Sequence, residues 1–211
     1  MTERHLGLLV LDTRFPRLPG DAGRADSYRM PVRSRVVQGA SPQRVVLEAD
    51  PALLQPFVDA ARALVDEGAV AITTSCGFLV RWQAALQAAL TVPLWSSSLL
   101  LLPGLRRPGV LTVDAQALAS VAAVAGLPVA GLAPGCHLQR TLLENLPQLD
   151  PAAAEQDALE AAQRLVKQHP EVTELVLECT NLPPYADAIA RATGRPVHHL
   201  LTLVHERWEH L

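Results

Sequence analysis

Two stretches half a chain apart are built to the same plan. The first runs Ala69-Val70-Ala71-Ile72-Thr73-Thr74-Ser75-Cys76-Gly77-Phe78, and the second Leu175-Val176-Leu177-Glu178-Cys179-Thr180-Asn181-Leu182-Pro183-Pro184-Tyr185. Each is a β-branched or Leu run, then a small polar cluster around one cysteine, then a helix-like segment. A strand–Cys–helix unit used twice predicts a duplicated fold with two thiols facing each other across a cleft. Two facing thiols can move a proton between the two faces of a carbon.

The rest of the chain reads as an α/β protein. Leu6–Leu11 predicts a buried strand, followed by a long Gly/Pro-bearing loop from Asp12 to Pro42 with a short strand at Ser34–Val37. A loop of that length inside a compact domain is usually functional or partly structured. Tyr28, Arg29 and Arg33 on it are within reach of a substrate carboxylate or are solvated loop residues. The apolar stripe Leu53, Leu54, Phe57, Val58, Ala61, Leu64 and Val65 predicts a helix over 51–67, closed by Gly68. Val70–Thr73 is the next strand, Phe78–Leu90 the next helix, and Val92–Trp95 a further short strand. The pattern then restarts. Strands are expected at Gly109–Val113, Val129–Leu132, Leu175–Leu177 and Val197–His199. Helices are expected at Asp114–Ala125, His137–Asn145, Asp150–His169 and Pro183–Ala192, and in the tail. Asp150-Pro151 is a strong helix start, an acidic N-cap followed by Pro. Alternating strands and helices, with continuous apolar strands, predict parallel sheets covered on both faces.

In such sheets ligands bind beyond the carboxyl ends of the strands, where both cysteines fall. The following helix N-termini are expected to lower the cysteine pKa values and to offer N–H groups to a carboxylate or a developing enolate. Thr73, Thr74, Ser75, Thr180 and Asn181 add donors at the same points. Cys136 lacks such a cluster and reads as structural. A Cys136–His137 metal site lacks a second ligand pair at metal spacing. Adjacent His198 and His199 on a strand face opposite ways, so at most one of them can point at a given site. Glu178 is either a carboxylate neighbour of Cys179 or a strand-end residue turned away.

Net charge is −3 and no Lys/Arg run stands out, which argues against nucleic acid as a partner. No GxGxxG or Walker loop is present, so no nucleotide cofactor is indicated. The opening Met1–His5 contains an acid, Leu6–Leu11 is too short for a signal core, and Leu99–Leu102 is too short to span a membrane. The simplest reading is a cytoplasmic protein with three reduced cysteines.

Thr-Thr-Ser-Cys-Gly-Phe at 73–78 and Glu-Cys-Thr-Asn-Leu-Pro-Pro-Tyr at 178–185 resemble the two cysteine motifs of the aspartate/glutamate/hydantoin racemase superfamily. Asp12-Thr13, Pro19-Gly20-Asp21 and Pro196-Val197 extend the resemblance over essentially the whole chain. It implies two pseudo-symmetric α/β lobes, residues 1–95 joined by the tail 196–211, and residues 96–195, with the active site in the cleft between them. It further implies no pyridoxal phosphate and no metal. Cys76 and Cys179 would be the base/acid pair. Thr74, Ser75, Gly77, Thr180 and Asn181 would hold a carboxylate-bearing substrate, and Asp12 would orient a cysteine or the substrate. A homodimer would be in keeping with the family. Gly77-Phe78 replaces the Asn-Thr of glutamate racemases, which removes two polar donors and points away from glutamate as substrate.

The leading expectation is a cofactor-independent isomerase, a racemase or epimerase acting on an amino acid or derivative at a carbon next to a carboxyl or carbonyl group. A lyase, cis–trans isomerase or hydrolase on the same scaffold needs only one cysteine as proton donor or nucleophile. A non-catalytic binding module would retain the cleft but has no use for the complete cysteine pair.

Overall fold

The computed structural model describes residues 4–211; the acidic opening at Met1–Glu3 lies outside the described residues. Two four-stranded parallel sheets carry the molecule, as the alternating pattern predicts. The first has strands β1 (His5–Leu11), β2 (Val32–Val37), β3 (Ala69–Thr74) and β4 (Leu94–Trp95) in the order β2-β1-β3-β4. The second has β5 (Pro108–Thr112), β6 (Val129–Gly131), β7 (Glu174–Leu177) and β8 (Val197–His198) in the order β6-β5-β7-β8. The two orders are the same, strand for strand, and the cysteines follow the equivalent strands β3 and β7.

Strand β1 shows why these sheets are covered on both faces. Its side chains alternate. Leu9 and Leu11 join a core that includes Phe57, Ala61 and Leu64 of helix α1 (Leu54–Asp66). Leu6 and Leu8 join a second core with Leu200, Leu201, Leu203 and Val204 of helix α7 (Leu200–Trp208). The tail helix therefore packs on the first sheet, although it follows the last strand of the second. Gly68 takes a φ of 100° immediately after α1, a left-handed turn that a side chain would strain.

Several predicted helices are shorter than their apolar pattern. The segment after Cys76 is a tight 3₁₀ run, Gly77–Trp82, followed by α2 (Gln83–Ala88). The segment after Asp114 stops at α3 (Ala115–Leu118), because Val121 turns extended and is buried, with Val124 following in a separate turn. Asp150 caps the long helix α5 (Pro151–Gln168), its carboxylate accepting from the Ala152 and Ala153 N–H groups at 2.9 and 3.2 Å. Helices α4 (His137–Leu143) and α6 (Ala186–Thr193) complete the second half. No described helix is long and apolar enough to cross a membrane.

Hydrogen bonds tie the two halves together. The Thr180 hydroxyl donates to the Ser75 carbonyl at 2.6 Å, and the Arg14 N–H to Asn145 Oδ1 at 2.6 Å. The long loop predicted over 12–42 is held in place in this arrangement. Its Ala22 N–H donates to the Thr180 carbonyl at 3.1 Å, and the Tyr28 hydroxyl is buried on the Ala22 carbonyl at 2.7 Å.

Candidate active site

Each cysteine sits where a strand ends and a tight turn begins. Cys76 is extended and opens the 3₁₀ run at Gly77. Cys179 follows β7 in the same way, and the Leu182 N–H closes its turn on the Cys179 carbonyl at 3.1 Å. At both places the N–H two residues on faces the sulfur, from Phe78 to Cys76 and from Asn181 to Cys179. The duplicated plan thus delivers the same backbone donor to each thiol.

Both thiols open on one cavity of about 30 Å³. Ser75, Gly77, Thr180 and Asn181 line it alongside the cysteines, and its walls are otherwise apolar: Leu11, Phe15, Pro42, Val46, Phe78, Val113, Leu142 and Leu143. The polar groups at its edge are already committed. Ser75 Oγ accepts from the Leu11 N–H at 3.0 Å, and the Thr180 hydroxyl donates to the Ser75 carbonyl at 2.6 Å, a bond between the two cysteine motifs. The Thr74 hydroxyl stands 2.8 Å from the Ser96 carbonyl oxygen and 3.0 Å from that of Cys76, behind the cavity, where it shapes the turn. Asp12 does not line the cavity; it accepts from the Gly39 N–H at 3.0 Å and pins the start of the long loop.

The acid that does reach the site from that loop is Asp21, 3% exposed. It accepts from Arg17 at 2.9 Å, from the Gly23 N–H at 2.6 Å and from the side-chain amide of Asn181 at 2.6 Å. The Pro19-Gly20-Asp21 run is the sequence signal for it; the long separation from Asn181 hides the partnership.

Glu178 is wholly buried and turned inward. The Thr112 hydroxyl donates to its Oε2 at 2.6 Å, and among the described residues its Oε1 has no hydrogen-bond partner. It packs flush on Gly77: a Cβ at position 77 would stand 2.2 Å from the Glu178 carbonyl oxygen and 2.5 Å from Oε1. Glycine at 77 is therefore required by the close approach of the two motifs. Burial raises the Glu178 carboxyl from 4.5 to about 7.

The same burial reverses the expected thiol activation. Desolvation, then the Glu178 charge, push Cys76 up to about 12, against the Phe78 N–H and the Arg17 and Arg81 cations. Cys179 is raised well above its usual value by burial and by Glu178, Cys76 and Asp21. The thiol pKa values are raised rather than lowered, because removal from water outweighs one turn of N–H groups. Arg81, which sequence reasoning passed over, lies 5.0 Å above the Phe78 ring and donates to the Val45 and Val46 carbonyls at 3.2 Å and to that of Ala117. Among the described residues no group of three or more His, Cys, Asp or Glu is placed to hold a metal ion.

No protein-family model matches the chain. A curated dimethylsulfoniopropionate lyase from Durusdinium sp. clade D is 29% identical over 92% of this chain and 70% of its own length. Dimethylsulfoniopropionate lyase 3 of Emiliania huxleyi (strain CCMP1516) is 26% identical over 93% of this chain and 57% of its own length. Three more numbered lyases of that organism match at 26–28%, with 44–64% of their length covered. The chain thus spans little more than half of most of these relatives. Among solved structures, allantoin racemase from Klebsiella pneumoniae superposes with a TM-score of 0.67 at 12% identity, over 99% of this chain and 87% of that one. Unliganded arylmalonate decarboxylase superposes with a TM-score of 0.61 at 19% identity, over 95% and 88%.

These relatives correct the expectation of a racemase and of an isomerase: over nearly the whole chain the sequence is similar to lyases. The physical reason is that a group able to remove a proton beside a carboxylate would serve either chemistry, so the cysteine motifs do not by themselves separate the two. The second half of the reaction, a proton returned or a group expelled, is not written in them. The chain has the fold of the aspartate/glutamate/hydantoin racemase superfamily.

Proposed function

We propose that this protein is a carbon–sulfur lyase that eliminates dimethyl sulfide from dimethylsulfoniopropionate or a close sulfonium carboxylate. The observation that carries the reading is a pair of buried cysteines on one small apolar cavity, in a chain similar to curated lyases over 92% of its length.

The substrate has a carboxylate, and on the carbon next but one a dimethylsulfonium. Cys76 as thiolate removes the proton beside the carboxylate, forming S–H. The carbon–hydrogen electrons become the C=C bond of acrylate. The carbon–sulfur bond breaks with its electron pair going to sulfur, which leaves as neutral dimethyl sulfide. No proton returns to the opposite face. Cys76 is assigned as the base because Arg17 and Arg81 favour its thiolate, whereas Asp21 opposes that of Cys179; Glu178 opposes both. Ser75, Gly77, Thr180 and Asn181 line the cavity where the substrate carboxylate would be held.

The apolar walls fit this reaction electrostatically. A thiolate and a sulfonium are both consumed, so one positive and one negative charge vanish on the way to products. Charge attraction at ~4 Å grows from about 1 kcal/mol in water to about 4 at an effective dielectric near 20, so apolar surroundings strengthen the pairing. Racemisation offers no such cancellation, because the thiolate charge only moves to the substrate.

The experiment is proton NMR of the protein incubated with dimethylsulfoniopropionate, with headspace detection of dimethyl sulfide. Acrylate and dimethyl sulfide in equal amounts are expected. Deuterium exchange beside the carboxylate without alkene, or no change at all, would reject the reading.

A further inference from the structure

Two sulfurs with the same backbone donor need something to make them different, and the long loop supplies it. Asp21 is a buried carboxylate held on three sides, by Arg17, by the Gly23 N–H and by the Asn181 amide. A carboxylate in such an ion pair only accepts hydrogen bonds. The group that Asn181 turns to it, 2.6 Å away, must therefore be the NH₂. That fixes the other end of the amide. Asn181 Oδ1 faces Cys179, with Sγ 3.8 Å away and donating to it. An oxygen acceptor at that point favours S–H and opposes S⁻. Among the described residues Cys76 has no such acceptor: its flanking side chains Ser75 and Thr74 are bonded to Leu11 and Ser96.

We infer that Asp21 is a positioning residue that holds Cys179 as the neutral thiol of the pair, by fixing the orientation of the Asn181 amide. Arg17 completes the device by anchoring Asp21. Cys179 then enters the reaction as a neutral thiol, its proton directed at Asn181 Oδ1. Cys76 is left as the sole base. The charged and titratable groups that act on Cys179 are Glu178, Cys76 and Asp21, all of which favour its proton. Tyr185, buried nearby, has its phenol pushed up and stays neutral. The role given to Cys76 rests on the lyase reading; the protonation state of Cys179 does not.

The test therefore needs no substrate. The full chain is treated with methyl methanethiosulfonate from neutral to alkaline pH, and the modification rate of each cysteine is followed by peptide mass spectrometry. In the unaltered protein Cys76 is expected to react faster than Cys179. Asp21→Asn removes the charge and frees the Asn181 amide to turn its NH₂ to the sulfur. It should raise the Cys179 rate by roughly tenfold, the equivalent of about one pH unit in its midpoint, with Cys76 changed by less than about twofold. Asn181→Leu removes the acceptor without touching the Arg17–Asp21 pair. It should raise the Cys179 rate in the same direction, and it serves if Asp21→Asn does not fold. An unchanged Cys179 rate, or an equal rise at both cysteines, would overturn the inference. Labelling that follows the expected pattern in a protein that yields no acrylate would reject the substrate and leave the thiol assignment standing.

Discussion

The two cysteine turns are equivalent in topology and unlike in chemistry. Strands β3 and β7 hold the same place in sheets of the same order, and each delivers a cysteine whose sulfur faces the N–H two residues on. The Glu178 carboxyl opposes both thiolates, and around Cys76 the further groups are cations, Arg17 and Arg81. Around Cys179 they are an amide oxygen and the carboxyl of Asp21. The repeated plan supplies a symmetric pair of thiols, and Arg17 and Asp21 of the long loop, with Arg81 after the first cysteine, break the symmetry. A racemase that works in both directions gains from balanced thiols. An elimination that runs one way has no need of balance.

The largest expected effect tests that asymmetry. Cys76→Ser should lower the elimination rate by roughly 10³-fold, within the range for loss of a positioned base, and Cys179→Ser by distinctly less. Equal losses, measured as initial rates of dimethyl sulfide release, would break the comparison.

Glu178 comes next. Its carboxyl titrates at about 7 in the folded chain against 4.5 unfolded. A raised carboxyl favours the folded state while protonated, so this contribution is complete below pH 4.5 and is lost as pH rises to about 7. Wild-type stability should fall over that window by up to about 3 kcal/mol from this group, and Glu178→Gln should flatten the fall. Denaturant melts at stepped pH give the answer. The same variant removes a charge that opposes both thiolates, so its pH–rate profile should move to lower pH.

Gly77→Ala probes the contact between the motifs. Its Cβ would meet the Glu178 backbone oxygen at 2.2 Å, so the turn must shift. A loss of roughly 1–3 kcal/mol in thermal unfolding is expected. The second motif has Thr180 beside its cysteine and uses the side chain as a strut to Ser75. The two motifs meet, and only one of them can have a side chain at the point of contact.

The smallest effect is at Thr112. Thr112→Val removes the 2.6 Å bond to Glu178 Oε2, at a cost of about 1 kcal/mol. It should also push the Glu178 titration further up, since that hydrogen bond favours the charged form. A downward shift in the stability–pH curve would show that Thr112 does not act through Glu178.

The amino-acid sequence by itself determined the α/β class, the strand positions, the α5 start at Asp150 and the two cysteine turns. Each of these rests on local rules: apolar runs, a capping acid, a polar cluster after a strand. It overran the helices after Cys76 and Asp114, where burying Phe78, Leu79, Val121 and Val124 takes the chain off a regular helix. Only the tertiary structure decided what the thiols are. Their expected activation came from the helix N-termini, a local property. Their raised titration comes from burial beneath the opposite lobe and from Glu178, packed against a glycine a hundred residues away in sequence. Asp12 was singled out at the end of β1, yet the acid that meets the second motif is Asp21, brought there by the fold of the long loop. Solvation and charge depend on what lies within a few ångströms in space, and nearness along the chain reports that only inside a single turn.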